Sequence, residues 1–164
     1  MPAPASAVAM RRRVCFRIAA LVVIADQLSK HWAARALPGA GSQPLIPGLI
    51  DLYYTTNTGA AFSLFTGSTR ILGAVSLLVA VAVAGWILSS GRRGLPISRA
   101  LALGFLLGGA IGNGIDRWRL GAVIDFLALV PVNFPVFNIA DVAINLAVLG
   151  FLVDVIQQPR ASDG

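Results

Sequence analysis

Long apolar runs separated by short polar breaks dominate this chain. Four of them, residues 14–36, 71–88, 97–115 and 137–156, approach the roughly 20 mostly apolar residues that a bilayer-spanning helix needs. Between the first two, residues 45–56 carry strand-forming Leu, Ile, Tyr and Thr bracketed by Pro and Gly, which predicts a short hairpin or cradle at the membrane surface. Asn57-Thr58-Gly59 then reads as a turn, and residues 60–65 as a short interfacial helix. Residues 128–135 are more apolar than a solvated loop and are expected to dip into the interface. The predicted fold class is an all-α polytopic membrane protein: four transmembrane helices with a small extracytoplasmic β-cradle and a short interfacial helix. Residues 1–157 form one domain in this reading, and 158–164 a short cytoplasmic tail expected to be disordered from Pro159.

Composition supports the membrane premise. With 57% hydrophobic and 12% charged residues and a mean hydropathy of +0.79, no soluble domain of 164 residues could hide its apolar surface. The net charge of +6 could suggest nucleic acid, but the arginines follow a membrane pattern instead. Arg11, Arg12, Arg13 and Arg17 cluster at the start of the first span, Arg92, Arg93 and Arg99 between the second and third, and Arg160 after the fourth. By the positive-inside rule both termini are cytoplasmic, and only Arg35, Arg70, Arg117 and Arg119 are left toward the outer side. The first span also resembles a cleavable signal peptide ending at Ala34-Arg35-Ala36, yet its length and its Asp26 and Lys30 favour a retained helix. Cys15 and His31 are each the sole residue of their type, so neither an intrachain disulfide nor a zinc site of that pair is expected, and Cys15 should face lipid or a neighbouring helix.

With that topology, the polar interruptions converge. Asp26 and Lys30 lie about 18 and 24 Å along an outward-running span at 1.5 Å per residue, so both fall in its outer half. Asn113, Asp116 and Arg117 end another outward span; Asn138, Asp141 and Asn145 open an inward one. Asp154 alone falls toward the opposite face. Asp26 and Lys30 stand at i, i+4, where they can pair; the other two sets stand at i, i+3, i+4 and i, i+3, i+7, one helical stripe each, directed at neighbouring helices. Charges within a span cost about 2.5–3.5 kcal/mol each on insertion scales, so they pair or serve a function. Structural ion pairs, Asp26 with Lys30 and Asp116 with Arg117, compete on equal terms with direct chemistry for those four residues.

Asp125 and Asp141 have no basic residue at pairing distance along their own helices. Two carboxylates brought together out of water cannot both ionise easily, so one holds a proton, which suits general acid and base work on water at a peptide carbonyl. A cation site, or a helix N-cap by Asp125, would use the same residues. Schemes with a Ser or Cys nucleophile lack a base beside either residue type. Gly108, Gly109, Gly112 and Gly114 are not a phosphate loop, since they lie within an apolar span with no following Lys-Ser or Lys-Thr; close helix packing is the expectation.

Five stretches carry a resemblance: Asp26-Gln27-Leu28-Ser29-Lys30; Asn57-Thr58-Gly59-Ala60-Ala61-Phe62-Ser63; the run from Gly108 through Asn113 and Asp116 to Arg117; Val123-Ile124-Asp125-Phe126; and Phe137-Asn138-Ile139-Ala140-Asp141. Together, and in this order, they resemble the lipoprotein signal peptidase family, signal peptidase II. The resemblance implies an aspartyl endopeptidase with Asp125 and Asp141 as catalytic residues and no metal or organic cofactor. It implies as substrate a prolipoprotein already carrying diacylglycerol, cut on the N-terminal side of the lipidated cysteine. Asp26, Lys30, Asn57, Gly59, Asn113, Asp116, Arg117 and Asn138 become substrate-binding or supporting positions. Of these, the amides of Asn57, Asn113 and Asn138 can donate to substrate carbonyls or to the aspartates, whereas Asp26, Lys30, Asp116 and Arg117 hold helices and loops in register. The implied setting is a bacterial inner membrane, with membrane lipid as a partner, no nucleic acid, and a monomer. A small proton-coupled transporter is the competing function class, but transporter sites lie near the midplane between repeats, and this chain gathers its polar groups at one face without an internal repeat. A non-catalytic scaffold would have no use for the paired Asn-Asp elements.

Overall fold

The computed structural model describes residues 5–59, 67–90 and 95–157. The elements run α1 (Ala5–Ala36), β1 (Gln43–Ile46), β2 (Ile50–Asn57), α2 (Thr69–Ser89), α3 (Ile97–Leu120), β3 (Val123–Leu129) and α4 (Ile139–Gln157). The expected interfacial helix at 60–65 and the tail at 158–164 lie outside the described residues.

Three helices, α2, α3 and α4, are long and apolar enough to cross a membrane. The 32-residue α1 is long enough, but Arg17, Asp26, Lys30 and Arg35 interrupt its apolar run. It begins well before position 14, because the intervening Ala, Met and Arg residues are good helix formers. The third helix overruns its expected end at 115 by a further turn and stops where Gly121 takes the left-handed conformation, φ 74°, that closes a helix C-terminus.

Helix α3 is the hub, packing on α1, α2 and α4. Its Gly104, Gly108 and Gly112 recur every four residues on the face toward α1. A Cβ on Gly108 would stand 2.6 Å from Val22 Cβ, and one on Gly112 2.7 Å from Asp26 Oδ2. The neighbouring Gly109 faces α4, where a Cβ would lie 2.7 Å from the Ala140 carbonyl. These glycines therefore let three backbones approach, as expected of small residues at helix interfaces in membranes. Cys15 is fully buried against this seam, beside Leu103 and Leu107, and faces helix rather than lipid. The outward faces of α2 and α4 stay apolar, with Leu78 at 68% and Ile156 at 80% exposure. Such surface suits contact with lipid.

The predicted hairpin is β1–β2, turning at Gly48 (φ 74°). A strand that periodicity did not reveal joins it: β3 pairs antiparallel to β2, giving the order β1-β2-β3, with Thr55 opposite Asp125 and Asn57 opposite Val123. Phe126 of β3 packs with Ala33 and Leu37, fixing the sheet to the end of α1. The segment expected to dip into the interface divides: 128–129 complete β3, and Val130, Val132 and Phe134 are exposed beyond it.

Parallel α1 and α3, with α2 and α4 antiparallel to α3, carry the polar stripes to one end of the bundle. Among the described residues, the buried Asp26, Lys30, Asn113, Asp116, Asp125 and Asn138 gather there. Asp154 lies at the other end, paired with Arg99 at 2.7 Å and accepting from Ser98 Oγ at 3.1 Å.

Candidate active site

The site rests on a buried cation. Lys30, 1% exposed, spends its three donors on Asp26 Oδ2 (2.9 Å), Asp116 Oδ2 (3.0 Å) and Asn113 Oδ1 (2.9 Å). The i, i+4 pair of Asp26 and Lys30 thus forms as expected. The pairing of Asp116 with Arg117 does not: Asp116 turns inward to Lys30, while Arg117, about 100° further round α3, sends Nη2 to the Gly59 carbonyl at 3.3 Å. Adjacent helical side chains leave the axis about 100° apart, and here a lysine from α1 supplies the partner.

Asn113 and Asn138 carry the order of this cluster outward. Asn113 Oδ1 accepts from Lys30 and from Asn138 Nδ2 (3.1 Å), which leaves its own amide to donate to Asp141 Oδ1 at 2.8 Å. Asn138 opens α4 and donates through Nδ2 to Asp125 Oδ1 at 2.7 Å. Its backbone N–H meets Asp141 Oδ2 at 3.2 Å. One residue therefore touches both aspartates. Asn57, at the end of β2, also hydrogen-bonds Asp125, and its Oδ1 accepts the Gly59 N–H at 2.9 Å in the expected turn.

Asp125 is 3% exposed on β3. Burial, and then the negative charge of Asp141, push its carboxyl up from 3.8 to about 7, against the opposing pull of Asn138, Lys30 and Asn57. A group poised there exchanges protons near neutrality. Asp125 and Asp141 border one cavity of about 490 Å³, together with Asn57, Asn113 and Arg117. Away from these polar groups its wall is largely apolar, with Val142, Leu146 and Leu149 running down α4 beside Asn145. The cavity thus joins a pair of aspartates to an apolar wall.

Two placements differ from expectation besides Arg117. Asn145 lines the same cavity as Asp141, as its stripe predicts, but it is exposed there and donates Nδ2 to the Asp141 carbonyl at 2.9 Å. Gln27 had no assigned role, yet its amide donates to Asp116 Oδ1 (3.0 Å), Asp26 Oδ2 (3.2 Å) and the Gly112 carbonyl (3.2 Å). Its signal was available in the sequence, a polar residue beside Asp26 within an apolar span. Among the described residues no three His, Cys, Asp or Glu side chains stand close enough to hold a metal ion.

Residues 18–157 match a family model described as signal peptidase (SPase) II. A lipoprotein signal peptidase of Parasynechococcus marenigrum (strain WH8102) is 54% identical over 146 residues, covering 89% of this chain and 91% of that protein. One from Synechococcus sp. (strain RCC307) is 57% identical over 142 residues, covering 85% and 92%. Among solved structures, a bacterial membrane enzyme determined by the in meso method at 2.3 Å resolution superposes with a TM-score of 0.81 at 26% identity, covering 91% of each chain.

Proposed function

The chain belongs to the signal peptidase II family, and from that premise we propose that it is an intramembrane aspartyl endopeptidase with Asp125 and Asp141 as its catalytic pair. Its substrate is a diacylglyceryl-modified prolipoprotein, cut on the N-terminal side of the lipidated cysteine to release the signal peptide. The observation that carries this reading is the joint contact of Asn138 with both aspartates at the mouth of a cavity that continues into an apolar trough.

The chemistry follows from one shared proton. With a single proton on the pair, the ionised carboxylate takes a proton from water as its oxygen attacks the scissile carbonyl carbon. The protonated partner hydrogen-bonds the carbonyl oxygen as negative charge develops there. Collapse of the tetrahedral adduct breaks the C–N bond, a carboxyl proton passes to the departing amine, and the pair returns to one proton. The Asn138 and Asn113 amides hold the two carboxylates during these transfers. The position of Asp125 near 7 supports the one-proton state at neutral pH. Arg117, at the cavity wall, offers a cation to backbone carbonyls of an extended substrate.

The trough along Val142, Leu146 and Leu149 matches the diacylglyceryl chains, since burying apolar surface contributes about 25 cal/mol per Å². In this reading α1 is the fourth span, its charges neutralised within the bundle. Both termini are cytoplasmic, the sheet and aspartates lie near the outer face of a bacterial inner membrane, and the protein acts as a monomer. A proton-coupled transporter gains no support from the family match, and its acids would be needed near the midplane rather than at one end.

The deciding experiment is cleavage of a diacylglyceryl-modified prolipoprotein by the purified protein in detergent with EDTA present. Wild type should cut; Asp125→Asn and Asp141→Asn should not while remaining folded. Full cleavage by either variant would remove that aspartate from the mechanism.

A further inference from the structure

Each aspartate at the cavity follows a residue whose backbone N–H is held by a buried carboxylate. Before Asp125, the Ile124 N–H donates to Asp116 Oδ2 at 3.2 Å. Before Asp141, the Ala140 N–H donates to Asp26 Oδ1 at 2.9 Å. The two carboxylates are themselves joined twice: Lys30 Nζ lies 2.9 Å from one and 3.0 Å from the other, and Gln27 Nε2 donates to both. The result is a closed bracket. α1 and α3 supply its carboxylates, and β3 and α4 supply the amides it grips.

Local geometry makes the grip effective. A trans peptide places successive Cα atoms 3.8 Å apart, so fixing the N–H of the preceding residue confines the aspartate that follows. Ile124 is held at both ends, since its carbonyl also accepts Asn138 Nδ2 at 3.3 Å. The Ala140 N–H is one of the donors that the first turn of a helix leaves without an internal partner, and a carboxylate there also suits the positive end of the helix dipole. The sheet and α4 meet the aspartate cavity from different directions, so their relative placement depends on something that touches both.

We propose that Asp26 and Asp116, tied together by Lys30 and Gln27, are positioning residues that set the placement of Asp125 relative to Asp141 through these two amides. Gln27 is the new member of the machinery, holding the bracket closed without carrying charge. The role rests on the reading of Asp125 and Asp141 as the catalytic pair. A misplacement of about 1 Å can cost on the order of 100-fold in rate, so loosening the bracket should lower kcat and spare substrate binding.

The test uses the full chain in detergent with lipidated prolipoprotein peptide, measuring thermal unfolding, KM, and kcat per folded molecule. Gln27→Met keeps length and charges but removes the shared donor; kcat should fall about tenfold with KM within about twofold. Asp116→Ala, which frees the Ile124 N–H, should lose about 100-fold. Asp116→Asn keeps an oxygen for both Lys30 and Ile124 and should recover most of that loss. A purely structural role predicts instead that every variant with a cooperative unfolding transition retains wild-type kcat per folded molecule, and that result would overturn the proposal. Should Asp116→Ala fail to fold, Gln27→Met decides alone. Asp125→Asn and Asp141→Asn run alongside separate the two ideas. If those remain active, the catalytic reading fails; if they are dead while the bracket variants turn over normally, only the bracket fails.

Discussion

Asn138 and Asp141 cap each other at the start of α4: Asn138 Oδ1 accepts the Asp141 N–H at 3.0 Å, and Asp141 Oδ2 accepts the Asn138 N–H at 3.2 Å. This is the reciprocal capping arrangement, with Asp in place of the usual Glu or Gln three residues on. A helix-starting device therefore also orients an aspartate of the cavity, and leaves Asn138 Nδ2 free to reach Asp125.

That dual role can be divided. Asn138→Ser keeps a capping oxygen but loses the buried amide that serves Asp125, Asn113 and the Ile124 carbonyl, so stability should fall by about 1–2 kcal/mol while cleavage drops at least tenfold. Asn138→Ala loses both and should cost about 2–3 kcal/mol in addition to activity. Thermal unfolding beside turnover per folded molecule checks the separation; equal stability losses for Ser and Ala would contradict it.

Stability should also depend on pH through Asp125. Its carboxyl is raised in the folded protein from 3.8 to about 7, by burial and then by Asp141, so the folded state binds the proton more tightly than the unfolded chain. The associated stabilisation is fully present below pH 3.8 and is lost as pH rises toward 7, by at most about 1.4 kcal/mol per pH unit. Cleavage should follow a bell-shaped profile, falling above neutrality as the shared proton leaves and in acid as a second one binds. Asp125→Asn should flatten the stability dependence between about pH 4 and 7; an unchanged slope would show that other groups set it.

Lys30→Met should leave Asp26 and Asp116 buried without their cation. Removing one member of a buried ion network costs about 3–5 kcal/mol, so expression and thermal stability should suffer at least as much as turnover. Wild-type thermal stability with abolished cleavage would instead move Lys30 into direct contact with the chemistry.

Gly108→Ala places a methyl 2.6 Å from Val22 Cβ, inside contact distance, and should destabilise by about 1–3 kcal/mol. Because the closest atoms are Val22 Cβ and Cγ1, with the Ala19 carbonyl 3.0 Å away, Val22→Gly in the same molecule, which removes both side-chain atoms, should return part of the loss. Additive losses in the double variant, read from thermal unfolding, would show that the α1–α3 approach is not limited there.

Much of the site was readable because helical spacing is a local rule. Asp26 and Lys30 pair as their i, i+4 separation requires, and Asn113 joins them from the same relative depth on a parallel helix. The hairpin before Asn57 announced itself through Pro, Gly and strand formers. Three features escaped. Asp116 was matched to its neighbour Arg117, since a one-dimensional reading ranks nearby charges first, yet its partner stands 86 positions earlier on α1. β3 was hidden because Val123–Leu129 is apolar on both sides of Asp125 with no polar alternation, a pattern that periodicity cannot assign to strand or helix. Asn145 shares a helical stripe with Asp141 and lines the same cavity, but helical spacing did not tell that it would be exposed there.

By itself the sequence determined the membrane character, the helical segments, and the end of the bundle at which polar side chains collect, because hydropathy and helical period act within a few turns of chain. Only the tertiary structure decided which carboxylates Lys30 neutralises, that Asp125 rides on a strand opposite Thr55, and that Asn138 spans both aspartates. Those relations depend on the close approach of α1, α3 and α4 across glycine seams, where distances of about 3 Å arise between residues far apart in the chain.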